Sequence, residues 1–96
     1  MIMAAKNRPD RPYSHVLSAV FLAAVKKASI VIRQGRDDWK PAIRLALDLE
    51  FPTDTEMKAF ADVHFPEIVE LLLKGHASIC IHRSLSHGLE LFVDDD

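Results

Sequence analysis

Apolar residues recur along this chain with two periods, and the change of period divides it. From His15 to Gln34 they recur as they do on a helix. Ser14 is placed to cap that helix, Arg33 falls in its last turn and Gly35 stops it. A second helix is expected over Trp39 to Leu49, capped by Asp37 or Asp38, with Pro41 in the tolerated first turn. A competing signal lies here, because Ile43, Leu45, Leu47, Leu49 and Phe51 alternate with Arg44, Ala46, Asp48 and Glu50, a period of two. The Leu, Ala and Arg content favours the helix. Thr53-Asp54-Thr55-Glu56 reads as a capping box after Pro52, and Met57, Phe60, Ala61 and His64 then form one buried stripe. Pro66 opens a fourth helix to Lys74, ended by Gly75.

After Gly75 the period becomes two. Ile79 and Ile81 alternate with Ser78, Cys80 and His82, and Leu89, Leu91 and Val93 alternate with Glu90, Phe92 and Asp94. Between them RSLSHG is a turn-like loop ending in glycine, so a β-hairpin is expected. A helical reading aligns Ala77, Ile81, Leu85, Leu89 and Phe92 but places Gly88 inside the helix. The expected fold is mainly α, about four helices with a small C-terminal β-hairpin (α+β), and all-α is the alternative. Residues 1–12, with two prolines and no periodicity, are expected to be a tail on a single domain over 13–96.

The first helix carries more apolar residues than one face needs. On a wheel, Ile30, Ala23, Val16, Val20, Val31, Ala24, Leu17, Ala28, Phe21 and Ile32 span an arc of roughly 200°, about twice a minimal core stripe. Leu22 and Val25 fall outside it, among Ser18, Ser29, His15 and Lys26. Such a helix either occupies the centre of its own domain or buries a second face against another chain. The second option makes Leu17, Phe21, Leu22, Val25, Ala28 and Ile32 the candidate partner or dimer interface. On that reading, replacing Leu22 and Val25 by Asp weakens an assembly and leaves the monomer folded.

Composition narrows the class. Ninety-six residues, 49% hydrophobic and 27% charged, suit one globular domain and exclude a disordered chain. One cysteine excludes an internal disulfide framework and fits a reducing, cytoplasmic location. Lys6, Arg8 and Arg11 before Val16–Val25 imitate a signal peptide, but Lys26-Lys27 interrupts the run and no A-x-A-like site follows. The run is also too short to span a bilayer.

The net charge of −2 hides a segregation. Met1 to Arg44 holds nine bases and three acids, whereas Leu45 to Asp96 holds three bases and eleven acids. Either the halves neutralise each other on packing, or a basic face serves an acidic partner or a second copy.

Candidate chemistry concentrates in HASICIHRSLSH, residues 76–87. On a strand, Cys80 and His82 stand ~7 Å apart and both reach one metal, but His76 is about 13 Å from Cys80. Zinc needs three or four ligands, and only His87 or Glu90 is positioned to complete the set. No metal site closes on these residues. No oxyanion-hole element accompanies a Cys–His pair, and Gly35, Gly75 and Gly88 are isolated rather than a phosphate loop. No catalytic residue, metal or cofactor is expected, so the chain reads as a non-enzyme.

Two functional classes remain. Four helices followed by a hairpin overlap the winged-helix plan of DNA-binding regulators. Its reading elements, however, would lie in the acidic half, where phosphate contacts need bases, so nucleic acid is an unfavoured partner. The preferred expectation is a small cytoplasmic regulatory protein, a homodimer, that binds and modulates or sequesters a larger protein such as a transcriptional regulator or a toxin.

Overall fold

In the computed structural model, which describes residues 14–93, the order of elements is β1 (Ser14–Val16), α1 (Ala19–Arg33), α2 (Lys40–Glu50), α3 (Thr55–Val63), α4 (Phe65–Leu73), β2 (Ile79–Ser84) and β3 (Gly88–Val93). The fold is the expected α+β arrangement of four helices and a C-terminal hairpin, not the all-α alternative. The expected tail over 1–12 lies outside the described residues.

The hairpin carries a third strand that the sequence did not signal. β1 pairs antiparallel with β2, Ser14 opposite His82, His15 opposite Ile81 and Val16 opposite Cys80, giving the order β1-β2-β3. His15 to Val16 are therefore extended rather than helical, and the first helix begins at Ala19. Ser14 does not cap it. Ser18 does, its hydroxyl accepting from the Phe21 N–H at 3.0 Å. The correction has a physical cause: the β2 edge offers partners to His15 and Leu17, and a helix starting at His15 would leave that edge bare.

Two other caps move. Neither Asp37 nor Asp38 caps α2 through its side chain: Trp39 holds the N-cap position without a side-chain bond, and Asp38 is taken by Arg36 at 2.5 Å. α3 is capped by Asp54 rather than Thr53, its carboxylate accepting from the Met57 N–H at 3.0 Å, while Glu56 turns to Arg83. Residues 43–50 are helical, and Ile43, Leu47 and the C-cap residue Phe51 go inward at i, i+4 and i+8 while Leu45 and Leu49 point to solvent. The hairpin strands extend into the expected loop, leaving Leu85 to His87 as the connection and Gly88 at φ +79°, a left-handed backbone that glycine adopts without penalty.

α1 packs on α2 and α4, and α3 connects those two. The core is built from Phe21, Val25, Phe51, Ile68, Ile79 and Ile81, each fully buried. Burying each such side chain contributes roughly 1.5–3 kcal/mol. Phe21 meets Phe51 edge-on at 6.3 Å, and Trp39 stacks on Phe65 at 5.4 Å.

Candidate protein-binding surface

α1 has two apolar faces, and the core takes the one the wheel ranked lower. Phe21, Leu22, Val25, Ala28 and Ser29 are buried. Ser29 is tolerated there because its hydroxyl donates to the Lys26 carbonyl at 2.6 Å, so no polar atom is orphaned. Of the six expected interface residues, Leu17, Phe21, Leu22, Val25 and Ala28 all belong to this chain's own core. Only Ile32 reaches solvent. It stands four residues beyond Ala28, on the inward side but past the end of the packed region. The expectation that Leu22 and Val25 lie on the wet side is therefore corrected. They fill the space between α1 and its packing partners, which bulk and position decide rather than the mean polarity of their neighbours.

The outward face is assembled from other residues. Val20 is 77% exposed and Ile30 51% exposed, with Ala23 exposed between them, Ala19 exposed beside them, and Ala24 and Val31 half-buried at the margin. Val20, Ala23, Lys27 and Ile30 follow at i, i+3, i+7 and i+10, a stripe of about 15 Å. Lys26, Lys27 and Arg33 frame it, and α1 contains no acidic residue. Among the described residues these three bases make no ion pair. The fixed-charge pairs that do form stay within one half of the chain: Arg36–Asp38, Lys58–Asp48, and Arg83 with Asp54 and Glu56. The bases of α1 therefore have no carboxylate partner among the described residues, and the contact among these that joins the two halves is His15–Glu50.

That contact fixes where α1 begins. Glu50, the last residue of α2, accepts from the Ser18 N–H at 2.8 Å, the Ser18 hydroxyl at 2.7 Å and His15 Nε2 at 2.8 Å. Its side chain is 8% exposed. Burial raises the Glu50 carboxyl, but the Ser18 and His15 hydrogen bonds outweigh it and hold the group below its ordinary value. An anion at the end of α2 opposes that helix's own dipole, and the N-terminus of α1 supplies the compensating field. The His15 ring also packs on Phe51, 4.6 Å between centroids. Ser, His and Glu meet here, yet Ser18 commits its proton to Glu50 and a lone pair to the Phe21 N–H. The cluster joins the start of α1 to the end of α2.

The histidine–cysteine segment is dispersed. His82 shares the outer sheet face with Ser14, their side chains 3.3 Å apart, and His87 lies in the loop beside Ser86 at 3.0 Å. Cys80 is buried in the row between Val16 and Phe92. His64 stacks on Phe60 at 4.2 Å and contacts Glu67. Among the described residues no three His, Cys, Asp or Glu side chains are grouped to hold a metal ion. A shallow hollow of about 340 Å³ between α2 and α3 is lined by Arg44, Asp48, Lys58 and Asp62, with charges of alternating sign that favour no ligand charge. No helix among the described residues is long and apolar enough to cross a membrane.

Comparison with known proteins finds no matching family model, no matching curated protein and no matching solved structure.

Proposed function

We propose that this chain is a small, non-catalytic regulatory protein of the cytoplasm that acts by stoichiometric binding of a larger protein, through the outward face of α1. One observation carries the reading: α1 is apolar on both sides, and the side left in solvent joins Val20, Ala23 and Ile30 to three bases that have no ion-pair partner among the described residues, on a helix with no acid. Contiguous exposed apolar surface on a soluble domain marks an interaction site. The partner that fits is an acidic amphipathic segment, whose apolar stripe covers Val20 and Ile30 while its carboxylates reach Lys26, Lys27 and Arg33. Modulating or sequestering a transcriptional regulator or a toxin needs no more chemistry than this.

The winged-helix reading gains no support. α4, which precedes the hairpin as a reading helix would, carries Glu67 and Glu70 and no base.

The test is affinity capture from the host cell with the wild-type chain and with Val20→Glu/Ile30→Glu, quantified by mass spectrometry. A near-equimolar partner recovered by the wild type, lost with the double variant and weakened by salt, is the expected result. Circular dichroism of the variant should match the wild type. The same proteins recovered at the same yield from both would remove the α1 face from the mechanism.

A further inference from the structure

Among the described residues β3 is an open edge of the sheet, and its hydrogen-bonding groups have a defined direction. The Leu17 N–H bonds the Ile79 carbonyl at 2.9 Å, so the odd-numbered residues of β2 turn their backbone groups toward β1. Antiparallel pairing alternates, so the even-numbered residues of β2 serve β3. Cys80, His82 and Ser84 stand opposite Phe92, Glu90 and Gly88. The N–H and C=O groups of Leu89, Leu91 and Val93 therefore point away from β2, and among the described residues no strand receives them. Native edges are blunted by shortness, proline, bulges or charge. β1, the other edge, is short at three residues. β3 has six residues, no proline and one charge, Glu90. Its apolar residues Leu89, Leu91, Phe92 and Val93 are all left half-buried.

We infer that two copies of this chain associate by pairing β3 with β3, antiparallel about a two-fold axis at Leu91. A second copy is the occupant that matches the edge by its own pattern. Two-fold pairing with Leu91 opposite itself uses the open groups of Leu89, Leu91 and Val93 together; with Glu90 opposite itself Val93 drops out, and with Phe92 opposite itself Leu89 does. The Glu90 register also sets two carboxylates against each other at the closest cross-strand distance, which is destabilising. The Leu91 register sets Leu91 against Leu91, Leu89 against the second copy's Val93, and Glu90 against the second copy's Phe92. The helix-facing row of Ile79 and Ile81 then continues through Leu89, Leu91 and Val93 of both copies, in one six-stranded sheet. α1 takes no part. This surface is separate from the one proposed to hold the larger partner, and either can fail without the other.

Two measurements on the full chain test it. Sedimentation equilibrium should show a dimer for the wild type. Leu91→Pro deletes an N–H that points away from β2 and meets no strand among the described residues, so the variant should keep its circular dichroism and raise the dissociation constant roughly tenfold or more. Hydrogen exchange read by NMR needs no variant. The amides of Leu89, Leu91 and Val93 should gain protection as concentration drives dimerisation, whereas those of Glu90 and Phe92, already bonded to β2, should not change. A wild type that remains monomeric overturns the inference. So does a dimer in which those three amides stay unprotected, or one lost with Val20→Glu/Ile30→Glu but kept by Leu91→Pro.

Discussion

α1 and the hairpin both carry apolar residues that the core does not fully cover, but they reach solvent in different states. The backbone of α1 is closed on itself, so its outer face offers side chains alone: Val20, Ala23, Ile30 and the bases around them. β3 leaves both side chains and backbone groups open along its edge. A partner of α1 is selected by shape and charge, whereas a partner of β3 must itself be an extended strand. The two elements also differ in what secures them. α1 is held by a fully buried face and a nearly buried carboxylate at its start, while the hairpin is held by Ile79 and Ile81 beneath and by the more exposed Arg83 at one end. Substitutions should therefore sort by which side of which element they touch.

The sharpest contrast lies within α1. Val25 is fully buried, and Val20, on the opposite side of the same helix, is 77% exposed. Val25→Asp places a carboxylate where no donor waits, at a cost above about 4 kcal/mol, most of the stability of a domain this small. Circular dichroism should show an unfolded or molten chain. Val20→Asp, near the start of the helix where an acid is welcome, should change stability by less than about 0.5 kcal/mol. Equal effects from the two would mean that α1 packs in another rotation.

That contrast also marks how far the sequence was legible. Element types followed from period and punctuation: Gly35 and Gly75 end α1 and α4 with positive φ, and the change to a period of two announced the hairpin. Three matters did not follow. β1 has three residues and no pattern of its own; its hydrogen bonds come from β2, more than sixty residues later. The rotation of α1 differs from the wheel because a wheel sums hydrophobicity, whereas the packed face is the one that carries Phe21 and Leu22 and hides Ser29 behind a local hydrogen bond. The Glu50 contact joins residues 32 and 35 positions apart, and nothing local sets Glu50 apart from other exposed-looking acids at helix ends. The segregation of bases into the first half was legible, and their clustering around the outer face of α1 follows it.

Glu50 should produce the next largest effect, and one that depends on pH. Its folded pKa lies below the ordinary value of 4.5, so the carboxylate binds its proton less readily in the folded state than in the unfolded one. Its contribution is complete above about pH 4.5 and is lost as pH falls through the lower folded value. Glu50→Gln removes the charge and leaves a shape that still accepts one bond, at a cost of about 1–2 kcal/mol at neutral pH. Urea denaturation across the acid range should show the wild-type advantage shrinking toward zero at low pH. A difference that stays constant with pH would remove ionisation of Glu50 from the stability of the α1 start.

Arg83 should give the smallest effect of the three. It forks from β2 to Asp54, at 3.0 Å, and to Glu56, so it fastens the loop end of the hairpin to the start of α3. Both carboxylates are well exposed, and exposed ion pairs are weakened by solvent and salt. Asp54 has a second task as the cap of α3, which Arg83 lacks. Asp54→Ala should therefore cost about 1 kcal/mol through the lost cap, with the lost ion pair adding little. Arg83→Ala should leave global stability nearly unchanged and show its effect locally, as faster amide exchange at the loop end of the hairpin. High salt should reproduce that local loosening in the wild type. If Arg83→Ala destabilises the whole chain more than Asp54→Ala does, the fork rather than the cap holds α3 to the sheet, and the hairpin is secured as firmly as α1.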